Sequence, residues 1–174
     1  MKYLIITAIF FLSFSSNSIP IPKGNKATFD VIRKNKVIGT IETIFTKKGE
    51  LLIIDTNVDI DVKIFFFPAY KFTQTTKETW LKDEFIEVEG HTNFEDEREY
   101  FITGKDTENN FIANGMDGEL ILDKNILPSN YLNKEILKQK KMFDTQKGIV
   151  REIKVTKLDD EIIEMNKKKI ITEK

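Results

Sequence analysis

Hydrophobic and polar residues alternate along most of this chain with a period of two, the spacing that sends successive side chains to opposite faces of a strand. From Ala27 to Arg33, Phe29 and Val31 share one face and Asp30 takes the other; a Lys34-Asn35-Lys36 turn then leads into Val37 to Thr46, giving a first hairpin. After the Lys47-Lys48-Gly49-Glu50 turn, Leu52, Ile54, Thr56, Val58, Ile60 and Val62 fall on one side. Asp55, Asn57, Asp59 and Asp61 fall on the other, so one face is dry and one is wet. The solid apolar run Ile64 to Phe67 ends at Pro68, which forces a bend or an edge position before a strand resumes from Tyr70 to Trp80.

Strands are predicted next over Phe85 to Phe94, Glu99 to Thr103, Asn110 to Ala113 and Glu119 to Leu122, with Asn114-Gly115 and Asp117-Gly118 as turn signals. Pro128-Ser129-Asn130 then opens the one helical stretch, Leu132 to Lys141. It has Leu132, Ile136 and Leu137 on one side and Lys138, Lys140 and Lys141 near its C-terminal end. Gly148 to Leu158 and Glu161 to Ile171 read as a closing hairpin that turns at Asp159-Asp160. About ten strands and one short helix, without βαβ alternation, predict a mainly β fold: an antiparallel meander curled into a barrel or half-barrel. The helix before the C-terminal hairpin is expected across its concave face. Neither an internal repeat nor a linker divides the chain, so residues 19–174 read as a single β-rich domain.

Residues 1–18 break this pattern. Lys2 supplies a positive start, a largely apolar run of twelve residues extends from Tyr3 to Phe14, and Ser16-Asn17-Ser18 follows. This is the layout of a secretory signal peptide, and the run is too short to cross a hydrocarbon core that needs roughly 20 residues of helix. Cleavage is expected between Ser18 and Ile19, which makes the protein exported, periplasmic or secreted, with no transmembrane segment after processing. The 174 residues include 40% hydrophobic and 32% charged side chains, a balance that fits a packed soluble domain and excludes a disordered chain. A net charge of −1 lacks the footprint of a nucleic-acid binder. With no cysteine there are no disulfides, thiolate metal sites or thiol nucleophiles, and the single histidine, His91, leaves little for a triad or a zinc site.

Four groupings carry possible chemistry. Asp55 to Ile60 starts like a calcium loop, but Ile60 and Phe66 stand where its glycine and closing glutamate are needed, and the strand alternation runs straight through it. Glu87, Glu89 and His91 share one side of a strand, where two carboxylates and an imidazole could hold a metal; side chains roughly 6.6–7 Å apart along a straight strand read instead as a polar outer face. Ser129 lacks a nucleophile elbow, and Gly115-Met116-Asp117-Gly118 is no phosphate loop. No catalytic residue, metal or cofactor is therefore assigned, and an enzyme is not favoured. The aromatic run remains: Phe66, Tyr70, Phe72 and Trp80 are candidates to line a hollow for an apolar ligand, with ordinary core packing as the competing reading.

Phe29-Asp30-Val31 followed by Gly39, Phe67-Pro68-Ala69-Tyr70, Leu127-Pro128-Ser129-Asn130-Tyr131 and above all Phe143-Asp144-Thr145-Gln146-Lys147-Gly148 resemble segments of a family of exported bacterial proteins with a domain of unknown function. That family is distantly similar to curved-sheet, periplasmic lipoprotein-carrier folds. The resemblance implies a curved antiparallel sheet and carries no catalytic residue. Asp144, Thr145 and Gln146 are expected to shape a structural turn. The function expected is non-enzymatic binding of an apolar or lipidic ligand in a curved sheet, with an envelope protein–protein interaction module as the alternative.

Overall fold

A computed structural model of the chain describes residues 19–64, 67–95, 97–130, 132–165 and 168–172. Residues 1–18, where a signal peptide is expected, lie outside that set, as does Phe66. Eight strands follow one another: β1 Lys26–Arg33, β2 Lys36–Lys48, β3 Leu51–Ile64, β4 Phe67–Leu81, β5 Glu84–Phe94, β6 Arg98–Asp106, β7 Asn110–Gly115 and β8 Gly118–Asp123. They form one antiparallel sheet in which spatial order equals chain order. The turns explain why. Lys34-Asn35 and Lys82-Asp83 are two-residue loops with positive φ at both positions (50° and 60°, 48° and 70°), the backbone that matches the right-handed twist of the strands they join.

Register puts one set of side chains under cover. Phe45, Ile54, Glu78, Val88, Gly104 and Ala113 form a row across β2 to β7, flanked by the row Thr43, Thr56, Thr76, Gly90 and Ile102. A cap, residues 126–148, lies over these rows and buries Ile126, Leu127, Ile136, Met142 and Phe143 against Phe45, Ile54, Trp80, Phe85, Phe111 and their neighbours. Phe85 stacks on Phe111 with centroids 4.9 Å apart, and Phe111 meets Phe143 at 6.2 Å. Ile19 joins this core from the N-terminal side and is only 1% exposed.

Three expectations need correction. Of the barrel or half-barrel expected, the closed barrel is overturned: the sheet is open, because β1 and β8 are its two edges and each pairs with a single neighbour. The helix expected over Leu132 to Lys141 is one 3₁₀ turn, Lys134–Lys138. Asn133 Oδ1 accepts from Glu135 N to start it, Gln139 N donates to Ile136 O to end it, and Lys141 is already extended in β9, Lys141–Asp144. The closing hairpin also differs, since β10, Ile149–Glu152, pairs with β9, while β11, Glu161–Met165, pairs with β12, Lys168–Thr172. Among the described residues there are twelve strands where about ten were expected. No described helix is long and apolar enough to cross a membrane.

Candidate functional site

The inward row of β4 reads Phe72, Gln74, Thr76, Glu78, Trp80, and all five side chains are buried. A strand that places three polar groups between two aromatics on its covered face must satisfy them locally, because a buried polar atom without a partner costs about 1–3 kcal/mol. Glu78 Oε2 accepts from Trp80 Nε1 at 3.1 Å and from Asn130 Nδ2 at 2.5 Å. Gln74 Nε2 donates to the Thr145 carbonyl at 3.0 Å and to Thr76 Oγ1 at 3.2 Å. Asn130 is itself held, with Oδ1 accepting from Leu132 N at 2.9 Å. Burial pushes the Glu78 carboxyl up to about 7, against the opposing pull of its hydrogen bonds from Trp80 and Asn130.

Beside this seam sits the turn after β9. Asp144 Oδ1 accepts from Gln146 N at 2.8 Å and Lys147 N at 3.3 Å, and its Oδ2 accepts from Arg151 Nε at 2.5 Å. Thr145 N donates to Ser129 Oγ at 3.2 Å. Gln146 is held through its backbone. Gly148, at φ 67°, lies so close to Gly115 that a Cβ on it would stand 2.5 Å from the Gly115 Cα. These contacts fasten the cap to β4 and to the β7–β8 turn. They place no nucleophile beside a base.

Of the aromatic candidates, Tyr70, Phe72 and Trp80 are described, and Trp80 and Phe72 have different surroundings. Trp80 belongs to the capped core and lies against Phe85 at 5.2 Å. Phe72 is eight residues away on the same strand, roughly 26 Å at 3.3 Å per residue. Its ring meets Phe94 edge-on at 4.9 Å, outside the core cluster, and Tyr70 is half-buried further along. Around Phe72 the same face continues as apolar rows that the cap does not enclose: Ile41, Val58, Ile60 and Val62 are half-buried, and Phe29 is 59% exposed. The inward face thus has two halves, one capped and mixed in polarity, one apolar and partly bare.

The outer face holds the remaining candidates. Glu87 is 3.8 Å from Lys105, and His91 lies flat on Phe101 with its Nε2 3.8 Å from Glu99. Among the described residues no three His, Asp or Glu side chains are grouped to hold a metal ion, so Glu87, Glu89 and His91 are not brought to a common centre. Asp55 and Asp59 face solvent, and Asp61 pairs with Lys63 at 3.0 Å. Sequence reasoning missed Glu78 and Asn130. The signal was available for Glu78, since it shares the parity of Phe72 and Trp80.

A family model described as a domain of unknown function (DUF6134) matches residues 29–174. No curated protein and no solved structure matches the chain.

Proposed function

The chain belongs to the DUF6134 family, and for this member we propose an exported, non-enzymatic domain that holds an apolar or lipidic ligand on the uncapped half of its sheet. The observation that carries the reading is the continuity of Ile41, Val58, Ile60, Val62 and Phe72 with the exposed Phe29, an apolar floor on the same face that elsewhere forms the core. Leaving such a floor wet costs about 25 cal/mol for each Å² that a ligand would cover. Tyr70 and Phe72 serve this site; Trp80 serves the core. Export rests on the Lys2 to Ser18 leader pattern.

An interaction module is the second reading, favoured by one feature. The β11–β12 hairpin exposes Ile162 and Ile171 on one face, and a two-stranded hairpin is marginally stable in water without something to lie on. Organic extraction of the protein purified from its native source, with fluorescence titration of an apolar probe against the parent and Ile60→Asp, separates the two. Recovery of a lipid and loss of probe binding in Ile60→Asp support the carrier reading. No extract and no probe binding transfer the case to the interaction module.

A further inference from the structure

A cavity of about 550 Å³ lies on the outer face, away from both the apolar floor and the cap. It is a trough perpendicular to the strands. One register row runs from Ile44 through Asp55, Lys77 and Glu89 to Thr103, and its neighbour runs from Glu42 through Asn57 and Thr75 to His91 and Phe101. Crossing from β2 to β6 spans four strand spacings, roughly 19 Å.

Three observations mark it as a built surface. Phe101 is 68% exposed on the outer face, at the opposite end of the trough from Ile44, and its ring is backed by the parallel His91 ring at 4.4 Å, which fixes the plate. Charged groups at the trough's ends and flanks are engaged, Glu42 with Lys26 at 2.6 Å and Glu87 with Lys105 at 3.8 Å. The floor differs. Lys77 stands between Asp55 and Glu89 in register, yet among the described residues Asp55, Asn57, Thr75, Lys77, Glu89 and Thr103 make no side-chain hydrogen bond or ion pair. Amide, hydroxyl, carboxylate and ammonium groups are left free along a line that ends at an aromatic plate.

We propose that this trough binds a linear, uncharged oligosaccharide. A sugar ring offers an apolar C–H face for Phe101 and a periphery of hydroxyls that both donate and accept, which suits a floor of mixed donors and acceptors. The floor carboxylates outnumber the ammonium, which disfavours a polyanion. A peptide strand gains its affinity from a free sheet edge, and the strands under the trough are paired on both sides.

The test is calorimetric titration of the full-length mature protein with β-1,4-linked tetramers of glucose and of N-acetylglucosamine, beside Phe101→Ala, Asn57→Ala and, as a control on β8, Glu119→Ala. Thermal melts confirm that each variant folds. Saturable binding of either tetramer, weakened about tenfold or more in Phe101→Ala and Asn57→Ala and unmoved in Glu119→Ala, is the expected result; tenfold corresponds to about 1.4 kcal/mol. Apolar-probe binding stays at its parent value in all three variants, so this site and the apolar floor fail or stand separately. Absence of binding by both tetramers, binding indifferent to Phe101→Ala, or occupation of the trough by an extended peptide in place of sugar overturns the proposal.

Discussion

Asn130 Nδ2 donates to Glu78 Oε2 at 2.5 Å across 52 positions of sequence, joining a loop of the cap to a carboxylate on the inward face of β4. Burial raises that carboxyl from 4.5 to about 7, so the folded state favours its protonated form. A group whose pKa is raised on folding stabilises most fully below its unfolded value and loses that contribution as pH rises through the folded one. Denaturant unfolding should therefore show the parent more stable at pH 5 than at pH 8 by roughly 2–3 kcal/mol, since a full pKa unit is worth about 1.4 kcal/mol. Glu78→Gln keeps an acceptor for Trp80 and Asn130 but cannot ionise, and its stability should change far less over the same interval. An equally steep dependence in the variant would place the titration elsewhere.

The two aromatics at the ends of the β4 inward row should behave differently. Trp80→Ala opens a cavity in the capped core and should cost about 3–5 kcal/mol while leaving apolar-probe affinity intact. Phe72 packs on Phe94 and not on the core cluster, so Phe72→Ala should cost nearer 1–2 kcal/mol and weaken the probe. Equal core-sized losses at both positions, with probe binding unchanged, would remove Phe72 from the ligand site.

Ile19 is where cleavage is expected and where a buried anchor begins. Intact mass of the protein recovered outside the cytoplasm should start at Ile19, within about two residues. Ile19→Ala should lower stability by about 2–4 kcal/mol through the cavity it leaves beside the core. Mass that still includes Met1 in that fraction would reject the leader assignment.

Gly115 and Gly148 touch through their backbones. A Cβ on Gly115 would lie 2.3 Å from the Gly148 carbonyl oxygen, and neither backbone can yield as a side chain would. Gly115→Ala should cost more than about 2 kcal/mol in chemical denaturation, in the range set by core overpacking. A change below about 0.5 kcal/mol, ordinary for a surface site, would show that the turn moves freely.

The first eight strands were legible because their alternation and turns are local signals. Phe29 with Val31, and Leu52 through Val62, name their faces without reference to the rest of the chain. Closure was not legible: whether β1 meets β8 depends on the summed twist and stagger of eight strands, which no single residue encodes. The helix expected over Leu132 to Lys141 failed for a tertiary reason, since Met142 and Phe143 bury in β9 against the sheet and draw the chain into extended backbone after one turn. The site was half legible. Tyr70, Phe72 and Trp80 share a parity as read, but parity does not reveal that the cap reaches Trp80 and stops short of Phe72.

A sheet whose spatial order repeats its chain order has low contact order between strands. Each pairing closes a loop of a few residues, so β1 to β8 can zip in the order in which the chain emerges, with little loop-closure entropy to overcome at any step. The cap is the exception. Phe143 must return to strands that were completed many residues earlier, and until it does, Phe45, Ile54 and Val88 stand wet. A chain that stops near residue 125 would hold every pairing of the sheet and still expose its core, the kind of intermediate that associates with its own copies before it can finish folding.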